Sequence, residues 1–311
     1  MKELLIGLIT SLFRNLFFIP LAISPKKALT SFYIPFFVLL SKLDQRFGVI
    51  VAAALNKDFK NRLTGDFTIE TRFGNKIVLP PSDNHFLHRA IGVYHPKSFL
   101  DQLDQFMSAS KSICEAGTHL GELSIWFKHK CPDATFVGIE LHPSFCGFVE
   151  RSMEINEYKD FKIINGIIGP SDIKTKGYCD FQSLDRYLPE LNMVAPLGTD
   201  FFTNEAIHQS DTELPLEKGQ IIEKVNLEEV FKKHKNLPDF YFLDIEGAEV
   251  YGVPAIIDLH LKRKESLPKI CFEIHHYAYS GAQARALKAK LYENKYKLMS
   301  MDDRHIFCSQ R

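Results

Sequence analysis

The feature that most constrains this chain is the rhythm that begins after Lys111, where short apolar runs alternate with helical segments to the end. That texture predicts a parallel sheet covered by helices on both faces. Strands are expected at 111–116, 135–140, 161–165, 239–245 and 269–274. A last pair, Tyr296 to Ser300 and His305 to Cys308, is separated only by Met301 to Arg304, so a hairpin should add an antiparallel strand to the sheet. Ahead of this core, Phe67, Ile69, Thr71 and Phe73, then Gly74-Asn75, then Ile77 to Leu79 read as a short hairpin serving as lid or brace.

The chain thus divides into an appendage at 1–56, a hairpin and brace segment at 57–110, and a main domain at 111–311. The main domain is interrupted at 169–223 by a stretch rich in Pro, Gly, Asn and Thr, with no sustained periodicity. Loops of that length inside a compact domain are usually functional, so it is the candidate substrate-facing insert. In the appendage, Leu4, Leu5, Leu8, Ile9, Leu12, Phe13, Leu16 and Phe17 share one helical face, opposite Lys2, Glu3, Thr10, Ser11, Arg14 and Asn15.

A spanning helix would bury Arg14 at a cost of about 2.5 kcal/mol or more, so a helix lying in the membrane interface is the better expectation. Arg14 also splits the apolar run that a cleaved signal peptide would need. The same face would serve equally for packing on the chain's own core or on a partner, and Phe32, Tyr33, Phe36 and Phe37 tilt the balance toward peripheral membrane contact through residues 1–40.

Lys plus Arg and Asp plus Glu are 38 each, so no general field draws the chain to nucleic acid. The six cysteines include no CxxC pair, which argues against a zinc site and for a reduced, cytoplasmic compartment.

Four segments carry the chemistry. The first, Glu115-Ala116-Gly117-Thr118-His119-Leu120-Gly121, runs from a strand into a helix, and its glycines leave room for a ligand to approach the backbone. The glycines are four apart, which is not the GxGxxG spacing of a nicotinamide-dependent oxidoreductase. The second is Val137-Gly138-Ile139-Glu140, an apolar strand ending in an acid. By itself Glu140 reads as a surface carboxylate; paired with the glycine turn it reads as an acceptor for ribose hydroxyls. The third, Phe242-Leu243-Asp244-Ile245-Glu246-Gly247-Ala248-Glu249, places three carboxylates in six residues at a strand end. They are costly there unless they meet donors or ligands. The fourth, Phe272-Glu273-Ile274-His275-His276, ends in two imidazoles that read either as solvated loop histidines or as a general base.

The order E-A-G-T-H-L-G, V-G-I-E-L-H-P, F-L-D-I-E-G-A-E and F-E-I-H resembles the FkbM family of methyltransferases over about residues 85–311. The resemblance implies an α/β, Rossmann-like, doubly wound and mostly parallel sheet with a C-terminal antiparallel hairpin strand, here with an N-terminal hydrophobic helical appendage. It implies S-adenosylmethionine as cofactor, with the turn of Glu115, Gly117, Thr118, His119 and Gly121 holding the methionine part and Glu140 the ribose. Asn156, Asn165, Gly166 and Ile167 would flank the adenine, and Asp244 would border the same site. It further implies O-methylation of a glycan, glycolipid or related hydroxyl, with Asp244, Glu246 or His275 as base and positioning groups. A metal bridging Asp244 and Glu273 would suit vicinal hydroxyls, but two or three oxygens are no metal signature. Where the family usually has Asp, Ala-Asn and a Lys two before the third acid, this chain has Glu115, Thr118-His119 and Phe242. The competing expectation is a protein that binds the nucleoside without turnover, as a scaffold at a membrane.

Overall fold

The computed structural model describes residues 65–71, 73–80, 95, 97–166, 168, 176–179, 207–208, 220–223, 225–245, 247–274, 280–300 and 304–310. The appendage at 1–56 lies outside them, as do Glu246, Ile167, His275 and His276. Among the described residues no helix is long and apolar enough to cross a membrane.

The core is a seven-stranded sheet. Its five parallel strands are β3 (Ser112–Ala116), β4 (Thr135–Glu140), β5 (Phe161–Asn165), β9 (Phe240–Leu243) and β10 (Lys269–Glu273), joined by the antiparallel pair β11 (Tyr296–Ser300) and β12 (His305–Gln310). The spatial order is β11-β12-β10-β9-β3-β4-β5. The chain therefore lays β3, β4 and β5 outward in one direction, returns, and lays β9 and β10 outward in the other. The reversal falls between β3 and β9, whose register pairs Glu115 with Phe242 and Ala116 with Leu243. In such sheets ligands bind at the carboxyl ends of the strands on either side of that reversal.

Alternation of side chains along the central strands splits the interior into two cores. One face of the sheet, through Ile113, Phe136, Phe242, Cys271 and Phe307, meets the helices α1 (Lys97–Met107), α2 (Glu122–Lys130) and α3 (Pro143–Ile155). The other, through Cys114, Val137, Tyr241, Ile270 and Cys308, meets α4 (Leu227–Phe231), α5 (Glu249–Arg263) and α6 (Gly281–Glu293). Helix α1 buries Phe99, Leu100, Leu103 and Met107, a one-sided stripe worth about 1.5 to 3 kcal/mol for each fully buried side chain. It falls within the segment that the sequence marks only as a brace.

The predicted hairpin forms from β1 (Phe67–Glu70) and β2 (Lys76–Leu79), paired antiparallel. It is a brace. Its Phe67, Ile69, Ile77 and Leu79 enter the first core, and the outer edge of β2 is tied to α3 by side chains instead of a further strand. Val78 N–H donates to Ser152 Oγ (2.9 Å), while Asn156 accepts from Lys76 N–H (2.9 Å) and donates to Lys76 O (2.6 Å). Asn156, expected beside an adenine, is thereby committed to the hairpin.

Within the 169–223 insert the described residues form a small antiparallel sheet of β6 (Lys176–Cys179), β7 (Ile207–His208) and β8 (Gln220–Glu223), in the order β7-β6-β8. The absence of periodicity in the sequence reflects strands too short to show one. The remainder of the insert lies outside the described residues.

Candidate functional site

The strand reversal brings the first and third chemical segments into contact. Gly117 follows β3 with φ +86°, and a Cβ there would collide with the carbonyl oxygen of Asp244, which follows β9. Asp244 N–H donates to Ala116 O (3.0 Å), continuing the ladder one residue beyond the strands, and Gly117 N–H donates to Ile139 O (2.8 Å). Glycine is required here because the Asp244 backbone occupies the space a side chain would take. Gly121, also at positive φ (+88°), begins α2 against the Val149 side chain of α3.

Glu140, at the end of β4, organises the turns on either side of it. Its Oε2 accepts from His119 N–H (2.6 Å) and its Oε1 from His142 N–H (2.8 Å), so one carboxylate holds the β3–α2 turn and the β4–α3 turn together. His119 sits at φ +48° to make that contact. The rings of both histidines pack on Phe145, His142 stacked at 4.3 Å between centroids and His119 edge-on at 4.7 Å. From the next strand, Asn165 donates its side-chain amide to Glu140 O (3.0 Å) and Leu141 O (2.7 Å), and Gly166 N–H donates to Glu140 O (2.9 Å). Burial pushes the Glu140 carboxyl up to about 7, partly offset by the N–H groups of His142 and His119. Each oxygen retains acceptor capacity for a further hydroxyl.

Glu115 lies beneath the turn, at the end of β3. Its side chain is fully buried on the face of β3 covered by α2, and its Oε2 accepts from Ser124 Oγ (2.5 Å). Burial pushes its carboxyl up to about 8, with the Ser124 hydrogen bond opposing and nearby Glu140 adding to the rise. Thr118 is buried as well, its carbonyl accepting from Gly121 N–H (2.8 Å) to close the turn.

Of the three carboxylates in the D-I-E-G-A-E segment, Asp244 stands half-buried at the sheet edge and Glu246 lies outside the described residues. Glu249 is buried at the start of α5, where its Oε1 accepts from Ile245 N–H (2.9 Å) and so fastens its own loop. Glu273 is paired with Arg304 (3.1 Å) and with His305 (3.6 Å), both brought by the C-terminal hairpin. That partnership turns on strand pairing, because β12 sets His305 directly across from Glu273. Among the described residues no group of three or more His, Cys, Asp or Glu is placed to hold a metal ion. Phe242, where a lysine was expected from the family pattern, is buried among Phe99, Phe127 and His305.

The structure thus gathers Gly117, Thr118, His119, Gly121, Glu140, Asn165, Gly166 and Asp244 at one edge, with Glu115 just beneath. Sequence reasoning missed His142 and Phe145 as members of this cluster, though Pro143 at the first position of α3 marks the turn that presents them.

No protein-family model matches the chain, and no curated protein is similar to it. Remote structural similarity extends to an O-methyltransferase from Bacillus cereus in complex with SAH, with 12% identity and a TM-score of 0.40 over 74% of this chain and 90% of that one. The TYW2 protein of M. jannaschii in complex with AdoMet has 11% identity and a TM-score of 0.38, over 79% and 87% of the two chains. A precorrin-6y C5,15-methyltransferase from Geobacter metallireducens GS-15 has 11% identity and a TM-score of 0.37, over 69% and 88%. Likeness this remote decides nothing about the present chain, whose strand order and turn geometry stand without it.

Proposed function

We propose that this chain is an S-adenosylmethionine-dependent methyltransferase of the FkbM kind that O-methylates a hydroxyl of a glycan, glycolipid or related small molecule. The observation that carries the reading is Glu140: a buried carboxylate at the carboxyl edge, oriented through both oxygens, one strand from a glycine turn at the strand reversal. A vicinal diol such as ribose can hydrogen-bond both oxygens at once. The order of the four segments in the sequence supports the family.

When bound, the cofactor supplies an electrophilic methyl group. The chain's own part is to fix its ribose through Glu140, to bring the acceptor hydroxyl into line, and to accept the hydroxyl proton. Asp244 stands at the edge where that base is needed, with Glu246 and His275 as the further candidates.

Calorimetric titration with S-adenosylhomocysteine is expected to show binding that Glu140→Ala weakens by about 100-fold or more, since charge-assisted hydrogen bonds contribute about 1.5 to 3 kcal/mol each. Absence of binding by the parent protein would remove the methyltransferase reading. Turnover on a panel of glycosides then separates an enzyme from a scaffold that only binds the nucleoside, a reading to which the burial of Phe242 in the lysine position lends some support.

The amphipathic face of residues 1–40 suits an interfacial helix that would concentrate the protein near lipid-linked acceptors. Liposome flotation is expected to retain the full chain and to lose a form lacking residues 1–56; equal retention of both would dispose of membrane contact through this segment.

A further inference from the structure

Past the strand reversal the carboxyl edge continues away from Glu140. Ala116 stands level with Leu243, and Leu243 with Phe272, so the next rung puts Gly117, Asp244 and Glu273 in one row. Strand β12 extends that row with His305, directly across from Glu273. Neighbouring strands lie about 4.8 Å apart, so Glu273 is one strand from Asp244 and two, about 10 Å, from the glycine turn. It shares the sheet face of Cys271, two residues before it, and His305 shares that of Phe307, both of which belong to the first core.

Glu273 is held at this edge from both sides. Arg304 Nη1 lies 3.1 Å from its Oε1 and His305 Nε2 lies 3.6 Å from its Oε2, and the imidazole packs in turn on the Phe99 ring of α1, 4.1 Å between centroids. Anchoring of the hairpin does not account for the arrangement. Four rungs already pair β10 with β12, Ile274 N–H donates to Arg304 O (2.6 Å) just beyond them, and an ion pair whose arginine side chain is 56% exposed adds little to stability. Asp244 and Glu273 bring two acids to the single guanidinium of Arg304, and even a protonated His305 would leave the row with no excess of positive charge. That balance opposes an anionic ligand. It suits hydroxyls, which donate to carboxylates and accept from the remaining Arg304 donors.

Resting on the function proposed above, we propose that Glu273 reads the acceptor: its carboxylate accepts a hydrogen bond from a hydroxyl beside the one to be methylated, and so sets the reacting oxygen at Asp244, toward the cofactor side of the reversal. The acceptor is accordingly an uncharged carbohydrate or other polyol with at least two neighbouring hydroxyls. A second point of attachment one strand away from the reacting oxygen fixes its orientation, and orientation supplies much of the acceleration in a displacement at carbon.

The test uses the full chain with S-adenosylmethionine and a set of methyl pyranosides and their phosphate esters, the methylated position in each product being established by NMR. Each glycoside that is turned over is compared with the analogues lacking one or the other hydroxyl beside that position. In the parent, loss of one of these hydroxyls is expected to lower kcat/KM by about 10- to 100-fold, the effect of a lost hydrogen bond to a charged group. In Glu273→Ala the intact and deoxy compounds should be turned over equally well, with the loss on the intact glycoside carried mainly by KM. Glu273→Gln, which keeps the shape and a neutral acceptor, should discriminate less than the parent and more than Glu273→Ala. Calorimetry should show parental affinity for S-adenosylhomocysteine in both variants. Variants that lose activity on intact and deoxy compounds in equal proportion, or that lose S-adenosylhomocysteine binding as well, would make Glu273 a structural residue and overturn the proposal. A parent that binds S-adenosylhomocysteine but methylates none of the glycosides, or only the phosphate esters, would overturn it while leaving the nucleoside reading intact. A parent that binds no S-adenosylhomocysteine would overturn both.

Discussion

Gly117→Ala is expected to destabilise the protein by about 3 kcal/mol and to abolish S-adenosylhomocysteine binding. A left-handed backbone costs an L-residue about 1 to 2 kcal/mol, and forcing a methyl into filled space adds about 1 to 3 kcal/mol. Both costs apply at φ +86° with the Asp244 carbonyl in the way. The obstacle is backbone, held by the Asp244 N–H to Ala116 O bond, so relief requires β3 and β9 to part where the ligand edge is built. Gly121→Ala supplies the contrast. Its φ of +88° is equally unfavourable, but the nearest neighbour is a Val149 methyl at 3.2 Å that can shift, so a loss of about 1 to 2 kcal/mol is expected, with binding retained. Urea unfolding and calorimetry of the two variants check this; a Gly117→Ala protein of native stability and affinity would refute the close approach of the two turns.

What the sequence disclosed about the fold follows from what a residue type carries with it. Residues 135–140 are a strand to the residue, because an apolar run buried on both faces of a parallel sheet announces itself, and 161–165 match as well although that strand lies at the sheet edge and is only partly buried. The run expected at 239–245 is shorter in the structure, Phe240–Leu243. At one end Asp239 is drawn off by the backbone of Lys111 (2.9 Å) and Ser112 (3.4 Å), and at the other Asp244 already belongs to the site turn. The turn at Gly117 and the acid ending β4 at Glu140 were legible because positive φ and a buried acid at a strand end are tied to glycine and glutamate themselves. Partnerships set by tertiary placement were not. Ser124 meets Glu115 across a helix–strand contact, Asn156 reaches Lys76 80 residues earlier, and Glu273 meets His305 only because β12 runs antiparallel beside β10. In the 169–223 insert, pairing of Lys176 with Glu223 and Cys179 with Gln220 joins four-residue strands far apart in sequence, which leaves no local period to read.

The unusual direction of the two site carboxyls yields a second large effect. Unfolded, Glu115 and Glu140 titrate near the ordinary 4.5; folded, burial pushes them to about 8 and about 7. The folded state therefore holds protons that the unfolded chain has already lost, and stability falls as pH rises through this window. The contribution is fully present below about 4.5, declines through neutrality, and is gone once both folded groups have ionised, Glu140 near 7 and Glu115 near 8. At about 1.4 kcal/mol per unit of displacement, Glu115 alone accounts for a few kcal/mol between pH 5 and pH 8. Glu115→Gln cannot ionise, so the variant is expected to match the parent near pH 5 and to exceed it by a few kcal/mol near pH 8. Its stability curve should be correspondingly flatter, with the residual slope ending near the Glu140 value. Denaturant unfolding at half-unit steps of pH measures this directly. A parent curve that rises over the same range, or a variant that declines in parallel with it, would mean that Glu115 is charged in the folded protein and already has its countercharge.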